Sequence, residues 1–369
     1  MKKNLLTTLF TLLCMTVLPL QAKNDIPLLD AAPYDTIMDG KKVALYTISN
    51  GKVAAQIINY GGFIVSLYAP DKAGKYDNLV TNYPNIKGYL RYNLGMVGPA
   101  LGRFANRIGN ATFTLDGQEY HVTKNNGPHM LHGGLKGFDH VVWDVKKATE
   151  KELVLTCVLP DGEDGFPGTL TTTLTYSISK EDGLRIAYKA TTDKSTVVNL
   201  SNHAYFNLDG IGKGNILKHQ LTIAAEQITE TDRMGIPTGK LLPVENTVYD
   251  FRTPISIGDR QMDIQGFTFG QRIEVPEGKV RQYDNNFCLN HSSSTSFDQV
   301  ATLYSPQSGR EMTVWNDQPG LQVYTGARTA IALESQKYPD SPNHASFPST
   351  RLNPGETYRH VCEYRFSVK

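Results

Sequence analysis

The chain has 369 residues, with 37 Lys+Arg against 36 Asp+Glu and a formal charge of +1. That length is within reach of one large all-β domain. With charges balanced and no basic block or Arg-rich tail, a nucleic-acid partner held on a basic face is excluded, and a neutral partner is the better match.

Residues 1–22 form a separate object. MKKN is a basic start, LLTTLFTLLCMTVLPL is an apolar run short for a membrane span, and LQA ends on a small residue. This pattern predicts a secretory signal cleaved near Ala22, hence a periplasmic or secreted protein, free of the membrane after cleavage. Residues 23–369 then form a single domain. VALYTI (43–48) and VAAQII (53–58) read as strands, and PNIKGYLRYN (84–93) as a short helix. GPALGRFANRIGNATFTLDG (98–117) offers Arg103 and Arg107. Arg107 follows Asn106, a donor-rich pair suited to hydroxyl groups; a structural ion pair is the equal alternative for either arginine. In NNGPHMLHGGLKGFDH (125–140), His129, His132 and His140 lie close together. No cysteine or carboxylate stands at a zinc spacing and there is no HExxH, so no metal is expected.

The middle and end of the chain alternate with period two. In TLTTTLTYSIS (169–179), Leu170, Thr172, Leu174, Tyr176 and Ile178 face one way and threonines and serines the other, a half-buried strand. LVLTCVL (153–159), LRIAYKATT (184–192), LQVYT (321–325) and YRHVCEYRFSV (358–368) read alike. STVVNLSNHAYFNL (195–208) reads as a strand with Val198 and Leu200 on one face, and Asn199, Ser201 and His203 on the other. Asp284 precedes an apolar strand start in RQYDNNFCLN (281–290), where a turn or cap is the alternative role. In TAIALESQKYPD, Ala330, Ala332 and Glu334 share a face; small residues leave room above the sheet, and the carboxylate must be paired, solvated or functional. Cys157, Cys288 and Cys362 sit in apolar runs and read as buried free thiols, with one disulfide still open. Short strands between frequent turns predict an all-β sandwich or barrel of stacked antiparallel sheets, whose concave face is the natural ligand site. Neither a P-loop nor a G-x-S-x-G elbow is present.

GRFANRI, LHGGLKGFDHVVW, DGEDGFPG, NLSNHAYFNL, YDNNFCL, PGLQVYTG and LESQKYPDSPNHASFPSTRLNPGETY occur in this order. From about residue 35 to the C-terminus the chain resembles the aldose 1-epimerase (galactose mutarotase) family. The resemblance implies a large antiparallel β-sandwich of galactose-mutarotase type. It also implies cofactor-free interconversion of the α and β anomers of free hexoses such as glucose and galactose. By motif it implies His203 as general acid and Glu334 as general base. Asn106, Arg107, His132, Tyr205, Asp284 and Gln322 become substrate contacts, with Tyr205, Phe206 or Phe287 available to stack on the sugar. His129 and His140 become structural or surface groups. Two features depart from the family pattern: Asn285 stands where a histidine is usual, and YTGARTAIALE joins two strands that a longer insertion usually separates. The expected partner is a small aldose, and the chain a monomer or weak dimer. A non-catalytic carbohydrate-binding protein on the same scaffold is the alternative. Two further rivals, a hexose 6-phosphate epimerase and a polysaccharide-processing enzyme, are disfavoured: the first by the export signal, the second by the single-domain length.

Overall fold

The structure is a computed structural model and describes residues 25–92, 96–262, 274–293, 295–326 and 329–369. The signal-peptide reading of residues 1–22 lies outside the described residues. Three antiparallel sheets dominate. The widest runs, in spatial order, Asp144–Ala148, Glu152–Leu159, Leu170–Ile178, Gly183–Thr192, Tyr358–Val368, Arg310–Asn316, Asp298–Tyr304, Gln220–Ile223 and Ile255–Ser256. A six-stranded sheet runs Tyr205–Phe206, Ile331–Gln336, Gly320–Tyr324, Asp284–Leu289, Ala225–Thr231 and Pro237–Pro243. A four-stranded sheet is built from Leu45–Ser49, Ala54–Ile58, Ile64–Pro70 and Tyr76–Asn78. The expected short helix covers Ile86–Tyr92, and among the described residues no helix is long and apolar enough to cross a membrane.

Alternation explains how the two larger sheets meet. Leu170, Thr172, Leu174, Tyr176 and Ile178 are buried while the threonines and serine between them are not. Leu174, Tyr176, Ile186, Tyr188 and Tyr364 from the wide sheet join Phe287, Leu321, Val323, Ile331 and Leu333 from the six-stranded sheet in one core cluster. This is the expected sandwich, and each fully buried Leu or Ile contributes about 1.5–3 kcal/mol to it. The thiols of Cys157, Cys288 and Cys362 are free and buried.

Residues 195–208 depart from the single strand expected of them. They divide into Thr196–Val197, Ser201–Asn202 and Tyr205–Phe206, which pair with Arg351–Leu352, Ala100–Leu101 and the Glu334 strand respectively. Val198 and Leu200 do enter the core. The opposite face is a buried seam whose side chains bond to backbone and break the ladder. Asn199 Nδ2 donates to the Ala105 carbonyl, its Oδ1 accepts the Lys337 amide, and Ser201 Oγ donates to the Ser335 carbonyl. His203 is thereby presented from an irregular segment held on three sides.

Candidate active site

Strand register places the carboxylates. On the Glu334 strand, Ile331 and Leu333 point into the core, and the Tyr364 hydroxyl donates to the Leu333 carbonyl at 2.8 Å. Ala332 and Glu334 therefore face away from the core. Ala332 lies opposite Tyr205 on one neighbouring strand and Tyr324 on the other. The space left by its small side chain is flanked by these two rings, whose centroids are 6.1 Å apart. Glu334 lies opposite Gln322, and Asp284 opposite Tyr324.

The other wall comes from the loop after Gly98. Asn106 and His132 both adopt positive φ, 63° and 53°, a region that asparagine tolerates better than most residues. They are locked together: the His132 amide donates to the Asn106 carbonyl at 3.0 Å, and the Asn106 amide donates to His132 Nδ1 at 3.1 Å. Arg107 follows, its amide donating to Asn106 Oδ1, and its guanidinium reaches Asp284 Oδ2 at 3.6 Å. Gln322 Nε2 donates to the other oxygen of Asp284 at 2.6 Å. The His203 amide donates to the Pro99 carbonyl and its carbonyl accepts the Gly98 amide. These contacts set His203 Nε2 at 3.6 Å from Glu334 Oε1.

The result is a pocket of about 300 Å³. Asn106, Arg107, His132, His203, Tyr205, Asp284 and Glu334 line it, while Gln322 stands behind Asp284 and orients it. Phe206 and Phe287 are buried in the core, so of the three stacking candidates only Tyr205 faces the pocket. Tyr324, Gln282, Leu131 and Met96 also line it and were not foreseen. Tyr324 was legible, standing two residues from Gln322 on an alternating strand; Gln282, which precedes the Asp284 strand, and Met96 carried no signal. Arg103 takes the structural role: it is buried and donates to the carbonyls of Leu159, Pro167 and Gly168. His129 is buried outside the pocket, its Nδ1 accepting the Asn110 amide, and His140 pairs with Asp139. Asn285 alternates away from Asp284 and accepts that residue's amide at 3.3 Å.

Burial governs the charges. It pushes His203 down to about 4 and His132 well below 6.5, the latter helped by neighbouring His203 and Arg107. It pushes Glu334 well above 4.5, with Asp284 adding to the rise and Arg107 opposing it. Burial therefore inverts the usual order of the two groups, and a proton shared by the pair rests on Glu334 in preference to His203. Donor atoms of His132, His203 and Glu334 lie within 4.8 Å of one another, which is the composition of a transition-metal site. Hydrogen bonding opposes that use. A ligating histidine normally donates its second N–H outward, whereas His132 Nδ1 accepts one. Its neutral ring must then carry the proton on Nε2, leaving that atom a donor instead of a ligand.

Comparison with known proteins agrees with this architecture. A family model described as aldose 1-epimerase matches residues 44–365. Galactose mutarotase from Mus musculus is 36% identical over 345 residues, 89% of this chain and 95% of that protein. Aldose 1-epimerase from Escherichia coli (strain K12) is 30% identical over 346 residues, 89% of this chain and 96% of that one. The crystal structure of an aldose epimerase homologue from C. elegans superposes with a TM-score of 0.79 at 28% identity, covering 88% of this chain and 99% of that one. A match of that extent, together with the pocket that its residues build, shows that the chain belongs to the aldose 1-epimerase family.

Proposed function

We propose that the chain interconverts the α and β anomers of free hexoses such as glucose and galactose, with Glu334 and His203 as the acid–base pair. Opening a cyclic hemiacetal requires a proton to leave the C1 hydroxyl while another reaches the ring oxygen. Those two oxygens share one carbon, so the groups that serve them must stand side by side. The observation carrying the reading is the buried pair His203 Nε2 and Glu334 Oε1, 3.6 Å apart in the pocket.

With the pair's proton on His203, Glu334 takes the C1 hydroxyl proton and His203 gives its own to the ring oxygen. The aldehyde then turns about C1–C2. Reclosure on the other face runs the two transfers backward, so acid and base exchange roles within a turnover. His132, with its proton fixed on Nε2, donates a hydrogen bond toward the ring oxygen and does not itself ionise. Arg107, Asn106 and Asp284 hold the remaining hydroxyls through charge-assisted bonds, with Gln322 steadying Asp284 and Tyr205 offering a ring to the apolar sugar face.

Polarimetry on freshly dissolved α-D-glucose and α-D-galactose tests this. Residues 23–369 should speed the approach to anomeric equilibrium, and the Glu334→Gln variant should not. If both proteins leave the buffer rate unchanged for these and other aldoses, the reading fails and a sugar-binding role takes its place. The export reading of residues 1–22 supports a site of action outside the cytoplasm; full-length protein recovered from the cytoplasm on fractionation would defeat it.

A further inference from the structure

Beside the acid–base pair, the same sheet face carries a row of amides. Asn286 lies opposite Gln322, Gln322 opposite Glu334, and Gln336 opposite Gly320. Residues directly opposite one another in an antiparallel sheet share a face, as do residues two apart on one strand. Asn286, Gln322, Glu334 and Gln336 therefore project together, and none is more than 3% exposed. Gly320 leaves a notch among them: a Cβ there would come within 2.4 Å of Asn286 Oδ1.

The hydrogen bonding of this row is incomplete. Both amide atoms of Asn286 and of Gln336, Oε1 of Gln322 and Oε2 of Glu334 are buried and make no protein hydrogen bond. Each such atom is costly to bury, and apolar side chains of the same shape would avoid that cost. Gln322 Nε2 is already committed to Asp284. The uncommitted donors are Asn286 Nδ2 and Gln336 Nε2, and the uncommitted acceptor that can carry charge is Glu334 Oε2.

We propose that Asn286 and Gln336 are positioning residues that stabilise the ionised form of Glu334, turning amide N–H groups to Oε2 directly or across one bridging water while Oε1 faces His203. This rests on the assignment of Glu334 as base. The groups facing Glu334 from the elements packed around it are His203, Tyr205, Asp284, Tyr324, Arg107 and His132, with Tyr364 behind its strand. Of these, Arg107 alone favours the carboxylate by full charge, against both burial and Asp284. Hydrogen-bond donors to the charged form act in the same direction as Arg107 without adding a second cation to a site for a neutral sugar.

The test is the pH dependence of kcat and kcat/KM for α-D-galactose in Gln336→Met, Asn286→Leu and Asn286→Ser. In Gln336→Met and Asn286→Leu the shared proton is held more tightly by Glu334, so kcat should fall about tenfold across the plateau and the alkaline limb should move up by about one unit. KM should stay within about twofold, because the sugar's own contacts are intact. Asn286→Ser keeps a hydroxyl donor and should restore most of the shift. A folded Gln336→Met enzyme with an unmoved limb and undiminished kcat would overturn the proposal, as would a raised KM with no shift, which would make these residues sugar contacts. Gln336→Met and Asn286→Ser carry the test if Asn286→Leu does not fold. Failure of the base assignment reads differently: Glu334→Gln would then keep the wild-type rate.

Discussion

The backbone amide of Asn106 donates to His132 Nδ1 at 3.1 Å, and through that one bond it decides which ring nitrogen of His132 holds a proton. His129, three residues earlier, is bonded in the same way to the Asn110 amide but stands outside the pocket. The two rings share a tautomer and differ in what they face. His132→Ala should therefore lower kcat for mutarotation by about 10²–10³-fold, the usual loss for one donor aimed at developing charge. His129→Ala should leave the polarimetric rate nearly intact; equal losses in the two variants would contradict the division.

Glu334 and His203 act on one proton inventory. Glu334→Gln and His203→Asn should each cost about 10²–10⁴-fold in kcat. Because the two residues work as a unit, the double variant should be little worse than either single one. Additive losses in the kinetics of the double variant would mean that the two residues serve separate steps.

Stability should fall on the acid side. His203 titrates at about 4 in the fold and near 6.5 unfolded, and His219 and His360 are lowered by burial as well. Between those values the unfolded chain binds more protons, so stability present above about 6.5 is lost as pH falls towards 4. Glu334 works in the opposite sense: its raised folded pKa gives stability that is complete below 4.5 and lost as pH rises. Thermal melting across pH should show Glu334→Gln gaining on the wild type as pH increases. A constant difference between the two curves would show that Glu334 is not held neutral by burial.

Arg107 touches the pocket from beside Asp284. Arg107→Ala should raise KM by about 10–100-fold, the range expected for charge-assisted hydrogen bonds. Its opposition to the raised pKa of Glu334 is removed too, so the alkaline limb of kcat/KM should also move upward. An unchanged KM in steady-state kinetics would place the guanidinium outside the sugar's reach.

The parts of the site that the sequence exposes are those carried on regular strands. Alternation alone puts Ala332 and Glu334 on one face, and the structure keeps them there. Period-two reasoning failed at residues 195–208, because Asn199 and Ser201 bond to backbone and divide the strand; His203 is set by its bonds to Gly98 and Pro99, far upstream in the chain. The partners of Arg107 and His132 come from pairing across the fold, which local pattern does not encode. Family motifs named those residues, but the hydrogen bond that fixes the His132 tautomer involves a main-chain amide and leaves no trace in side-chain identity.

The sealing of the Glu334–His203 pair has a consequence for traffic with solvent. Both residues are 5% exposed or less, and the cycle ends with the same proton count with which it began. Once the sugar covers the pocket, the hydrogen withdrawn at C1 need not pass to bulk water before the next is delivered. Catalysis becomes a closed circuit inside the protein, in which buffer species are spectators and turnover stays level as their concentration is raised.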